Sequence, residues 1–118
     1  MRSSVTRIDV SIKRGTGEFA ILAILNREAL HGYGISKRIT QITEGALRFN
    51  LASLYPLLYR LEKRGWVKGK WEGAQGVRKR RSYQLTRTGR KHLVSLRDAL
   101  DLLYRALHRI AGDAPAQL

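Results

Sequence analysis

The first sustained apolar period in this chain begins at Thr16, where Phe19, Ala20, Leu22, Ala23 and Ile24 cover most of the circumference of a helix over residues 16–27. A helix apolar on so many sides has to be buried between neighbours. A second period follows in Leu30–Ile42: after His31-Gly32-Tyr33-Gly34, residues Ile35, Ile39 and Ile42 share one helical face, Ser36, Lys37, Arg38 and Gln41 lie off it, and Gly45 ends the helix. Asn50 is placed to cap a third helix reaching about Arg64, with Leu51, Leu54, Leu58 and Leu61 on its inner side and Gly65 as its stop. Pro56 inside that helix leaves a carbonyl unbonded one turn back, which predicts a bend or a tightened first turn.

Past Gly65 the period changes. Trp66–Glu72 and Arg81–Thr86 read as short strands joined by a glycine-flanked turn at Gly73–Val77, a β-hairpin with Tyr83 and Leu85 inward and Ser82 and Gln84 outward. Thr88–Ile110 is helical again, and Gly112 with Pro115 closes it. On this last helix Leu93, Leu96, Leu100, Leu103, Leu107 and Ile110 step by three and four in strict alternation, the repeat that drives helix pairing. One short helix cannot have six large apolar residues covered from all sides by its own domain, so these six are expected to form a dimerisation seam with a second, symmetry-related copy. Residues before Thr16 carry Arg2, Arg7, Lys13 and Arg14 against Asp9 without any period and read as a mobile basic arm. The expected organisation is an arm at 1–15, a body at 16–87, a dimerisation helix at 88–111 and a tail at 112–118, without internal repeats.

Composition adds boundaries. A chain of 118 residues with 43% hydrophobic content supports one core. With no cysteine it has no disulfide framework and no thiolate zinc site. The longest apolar run, Phe19–Leu25, is far shorter than the roughly 20 residues a membrane span needs, and Met1–Arg14 lacks the apolar stretch of a secretory signal. These features predict a soluble, cytoplasmic protein with no membrane partner.

Charge changes the picture more. The chain holds 23 Lys and Arg against 9 Asp and Glu, a formal net charge of +14, which calls for a polyanionic partner: nucleic acid first, an anionic membrane surface second. Arg78, Lys79, Arg80 and Arg81 form an unbroken run on the hairpin, and from Lys68 to Lys91 nine basic residues face the single acid Glu72. Such self-repulsion is costly unless phosphates relieve it.

Three helices followed by a basic hairpin is the layout of a winged helix-turn-helix, whose third helix enters the major groove of double-stranded DNA while the hairpin, or wing, reaches the flanking backbone. The fold class expected is therefore mainly α with a small β-hairpin, a winged helix-turn-helix with a C-terminal dimerisation helix. The residues assigned to DNA are Ser36 and Lys37 on the second helix, Asn50, Ser53, Tyr55, Tyr59, Arg60 and Lys63 on the third, and Arg78, Lys79, Arg80 and Arg81 on the wing. Two readings compete: a solvated amphipathic helix in an interaction domain, and a nucleoid-type or RNA-binding winged-helix protein without sequence preference. Catalysis finds no support. His31 reads as a turn or core histidine, His92 and His108 fall on different faces of the last helix, and there is no nucleophile triad, paired carboxylate or glycine-rich phosphate loop, so no enzyme activity, cofactor or metal is expected.

Three segments, Leu30-His31-Gly32-Tyr33-Gly34-Ile35, the run from Ser53 to Glu62 (SLYPLLYRLE), and Tyr83-Gln84-Leu85-Thr86-Arg87-Thr88-Gly89, resemble the hallmark stretches of the PadR family of bacterial regulators, in the family's order. The likeness covers about Gly17 to Leu93 and is nearest to short members with one C-terminal helix. It implies a winged helix-turn-helix homodimer, usually a repressor, with its third helices in successive major grooves of a palindromic operator and its C-terminal helices swapped against the other subunit. It also implies that Ser53, Tyr55 and Tyr59 face DNA and that Lys79, Arg80 and Arg81 correspond to the basic wing. Ser82 departs from the paired aromatics usual in the family. Some short members hold flat aromatic ligands between aromatic side chains of the two C-terminal helices; this helix offers only Tyr104, which leaves a small-molecule effector an open question.

Overall fold

A computed structural model describes residues 8–9, 14–73 and 80–112 of the chain. The rest of the basic arm, the hairpin turn with Arg78 and Lys79, and the tail with Pro115 lie outside the described residues. In chain order the elements are β1 (Ile8–Asp9), α1 (Arg14–Leu25), β2 (Leu30–His31), α2 (Gly32–Ile42), β3 (Leu47–Arg48), α3 (Leu51–Lys63), β4 (Val67–Glu72), β5 (Arg80–Leu85) and α4 (Arg87–Ala111). The expected four helices and hairpin are all there, with ends displaced by one or two residues.

The core gathers Ile21, Leu22, Ile24 and Leu25 of α1, Ile35 and Ile39 of α2, and Leu54, Leu57, Leu58 and Leu61 of α3, closed by Phe49, Val67, Tyr83, Leu85 and Leu93. Two inward assignments fail at helix ends. Leu51, the first residue of α3, and Ile42, the last of α2, are both exposed, while Leu57, which the spacing did not assign inward, is buried. A terminal residue has packing neighbours on one side only, so the period that marks its face does not guarantee a cover. Helix α1 is likewise buried on one side: Phe19, Ala20 and Ala23 remain half-buried along an apolar groove with Ile42 and Leu47.

Two small sheets were not visible in the sequence pattern. β2 joins the hairpin to give a three-stranded antiparallel sheet in the order β2-β5-β4, with Leu30 opposite Tyr83 and His31 opposite Ser82. Ile8–Asp9 pairs in parallel with Leu47–Arg48, so part of the segment expected to be a mobile arm is held against the α2–α3 connection. Because β5 is the central strand, Ser82 stands between His31 and Lys70 on the outward face and is shaded by both; it is buried although its register points it outward.

Helix α3 runs unbroken through Pro56, and its first turn is tightened: the Ser53 and Leu54 N–H groups both donate to the Asn50 carbonyl, each at 3.1 Å. Ala52, whose carbonyl the proline leaves without a helical donor, lies on the exposed side. Thr86, read as the end of a strand, instead caps α4, its hydroxyl accepting from the Gly89 N–H at 2.9 Å and donating to the Gly65 carbonyl at 2.6 Å. Next to it Trp66 stacks on His92 of α4, ring centroids 3.5 Å apart. Past this anchored first stretch α4 projects: Leu93 is buried and Leu96 partly so, but every residue from Asp101 to Gly112 is exposed. The molecule is accordingly elongated, 65 × 33 × 22 Å. Among the described residues no helix is long and apolar enough to cross a membrane, and no group of three or more His, Cys, Asp or Glu could hold a metal.

Candidate nucleic-acid interface

The turn between α2 and α3 is fixed by side chains that sequence reasoning placed on DNA. The Ser36 hydroxyl donates to the Phe49 carbonyl at 2.9 Å, and the Asn50 side chain accepts from the Ser53 N–H at 2.8 Å. Both are thereby committed to orienting α3. Lys37, on the same helix as Ser36, is exposed.

On α3 the buried residues Leu54, Leu57, Leu58 and Leu61 define one side, and Ala52, Tyr55, Pro56, Tyr59 and Lys63 form the exposed stripe opposite. Tyr59 is 62% exposed, and the Lys63 ammonium sits 5.4 Å from its ring centroid. Ser53 and Arg60 are half-buried on the flank away from the wing, and Arg60 Nε is buried without a hydrogen-bond partner. Tyr55 leans on α2, where its ring occupies the space a Cβ at position 32 would need, so Gly32 is the residue that admits it.

The opposite flank of α3 faces the wing across an aromatic cleft of about 540 Å³, lined by Tyr55, Tyr59, Glu62, Lys63, Trp71, Arg81 and Tyr83. Arg80 is exposed, but Arg81 turns inward to form an ion pair with Glu62, the two side chains 29% and 26% exposed. The same Glu62 oxygen accepts the Gly69 N–H at 3.1 Å. Burial pushes the Tyr83 hydroxyl above the ordinary tyrosine pKa, with the Arg81 guanidinium pulling the other way. His31 is half-buried on β2 and reaches Glu72 across the sheet, Nε2 to Oε1 3.2 Å. Sequence reasoning passed over Glu62, Gly69, Trp71 and Glu72. A usable signal existed for the two acids, which are alone between Gly45 and Arg97 in a strongly basic stretch.

A tri-helical body whose third helix shows a polar and aromatic stripe beside a basic wing defines a winged helix-turn-helix, mainly α with a small antiparallel sheet. The sequence model of the Transcriptional regulator PadR-like family matches residues 21–95, and the chain belongs to that family. It is similar to a transcriptional regulator of Clostridium thermocellum, with 27% identity, 89% of this chain and 99% of that one covered, and a TM-score of 0.79. It is also similar to a PadR-like transcription factor of Bacteroides fragilis, with 25% identity, 84% and 93% covered, and a TM-score of 0.71. An uncharacterised protein of Lysinibacillus sphaericus is 29% identical over 85 residues, 72% of this chain and 78% of that protein. The protein is a DNA-binding transcriptional regulator and not an enzyme.

Proposed function

We propose that the protein is a repressor that binds a palindromic operator as a homodimer, each subunit reading one half-site. The observation that carries this reading is the exposed stripe of α3, where Tyr55, Tyr59 and Lys63 stand between the half-buried Ser53 and Arg60 on one flank and the wing on the other. Base edges in the major groove fall to the stripe, and flanking phosphates fall to Lys37, Lys63 and Arg80, with Arg78 and Lys79 continuing the basic wing. Association is supported by two apolar surfaces that the described residues leave open: the half-buried Phe19, Ala20 and Ala23 side of α1, and Leu103, Leu107 and Ile110 of α4. A twofold dimer places two α3 helices on one side of the duplex, about one helical turn apart.

Selection of bound duplexes from a random pool, followed by titration of the selected operator and of random duplex, tests this. Tyr59→Ala lowers the preference for operator by on the order of 1–3 kcal/mol while leaving the fold intact, since the side chain is largely exposed. Equal affinity of the unmodified protein for operator and random duplex overturns the sequence-specific reading in favour of a nucleoid-type binder.

A further inference from the structure

Arg81 belongs to the cationic run that charge alone assigns to phosphates, yet its guanidinium is spent inside the molecule. β5 pairs with β4 so that Arg81 stands opposite Trp71 and Tyr83 opposite Gly69, which puts Arg81, Trp71 and Tyr83 on the sheet face that looks at α3. There the guanidinium carbon lies 5.4 Å from the Trp71 ring centroid and 5.9 Å from that of Tyr83, and Nη2 donates to Glu62 Oε2. A Cβ at position 69 would meet the guanidinium at 2.5–2.8 Å, so a larger residue there would push Arg81 out of this position. One carboxylate oxygen at the last turn of α3 therefore receives donors from both strands of the wing, Gly69 N–H from β4 and Arg81 from β5. Between α3 and β4 the chain supplies only Arg64, Gly65 and Trp66, and the Glu62 tie adds to that short connection a side-chain link from the last turn of α3 to both wing strands.

We propose that Glu62 is a positioning residue for DNA recognition: by neutralising Arg81 and gripping both wing strands it fixes the wing relative to α3, and it removes Arg81 from the set of phosphate contacts. The proposal rests on the groove-and-wing reading above. It has a consequence that a purely structural salt bridge lacks. In B-DNA each neutralised phosphate contributes about 0.9 to the slope of log affinity against log salt. With Glu62 in place the pair adds nothing to that slope. Without its charge Arg81 becomes one more cation at the DNA face.

The test measures binding to a random-sequence duplex and to the selected operator over a range of salt concentrations, for the full chain. Glu62→Gln keeps the side chain's size and an acceptor for Gly69, so the wing stays folded while Arg81 is released. The random-duplex slope then steepens by up to about 0.9, and the operator-to-random ratio falls several-fold as the wing loses its fixed direction. The double variant Glu62→Gln with Arg81→Gln restores the wild-type slope but not the ratio. A slope that flattens by about 0.9 in the double variant, with no steepening in Glu62→Gln, makes Arg81 a direct phosphate contact and overturns the proposal. Arg80→Ala separates this from failure of the wider reading: it flattens the slope if the wing meets DNA, whatever Glu62 does, and leaves it untouched if the wing does not.

Discussion

Along α3 the residues Leu54, Leu58 and Leu61 are no more than 1% exposed, whereas along α4 Leu103 and Leu107 are each 53% exposed and Ile110 is 82% exposed. The two helices carry the same alternation of three and four, and α4 carries it over the longer stretch. What differs is position. Helix α3 is met by α1, α2 and the hairpin, so its period finds a cover within the subunit; α4 leaves the body after Leu96, and among the described residues nothing covers its last three turns. A hydrophobic period states that a face needs covering and leaves open what covers it. In a small domain, an apolar face that its own core cannot reach is the usual mark of an interaction surface.

The sharpest way to break this contrast is to charge the projecting face. Leu103→Asp with Leu107→Asp places carboxylates at sites that are open to solvent in one subunit, so the winged body keeps its helical circular dichroism and its tertiary fluorescence from Trp66 and Trp71. In a dimer the same two charges per subunit are buried, each at a cost of several kcal/mol. Sedimentation should find a dimer for the unmodified chain and a monomer for the variant, with operator affinity reduced because the second half-site no longer profits from linkage. A double variant that sediments as a dimer shows that α4 is not the seam.

A matched pair of truncations sharpens the contrast within the body. Leu58→Ala removes a fully buried side chain and should lower unfolding free energy by about 2–5 kcal/mol in urea titrations, independent of protein concentration in the monomeric background. Leu107→Ala in that same background removes exposed area only and should change it by less than about 0.5 kcal/mol. Comparable losses at both positions mean that the last turns of α4 fold back onto their own subunit.

The elements visible in the sequence are those that span at least one full period. Helices α1 to α4 and the hairpin qualify, and so does the outward stripe of α3, because once Leu54, Leu58 and Leu61 are inside, Tyr55, Tyr59 and Lys63 have no other side to occupy. The two-residue strands at Leu30–His31 and Ile8–Asp9 are shorter than any detectable alternation and form only because β5 and β3 offer them free edges. The grip of Glu62 on Arg81 is equally illegible, since residues 19 apart meet only when the hairpin folds back along α3. The cationic run alone assigns Arg81 to DNA; a lone acid in a basic stretch is the sequence feature that points to an internal partner for one of its cations.

The smallest effect concerns the joint between the two regions. Thr86 ends the wing and begins α4, and its hydroxyl serves both: it accepts the Gly89 N–H, one of the orphan donors of the first helical turn, and donates to the Gly65 carbonyl at the end of α3. Thr86→Ala loses both bonds and leaves the helix terminus uncapped, for an expected cost of about 1 kcal/mol in unfolding free energy. Thr86→Ser retains the hydroxyl and should recover most of that loss, while Thr86→Val, which keeps the shape without the hydroxyl, should not. Because the Trp66–His92 stack and buried Leu93 still hold α4 to the body, none of the three should alter the dimer in sedimentation. If Thr86→Ala weakens association as much as stability, the direction in which α4 leaves the body is set at this cap, and the joint governs the interface as well as the fold.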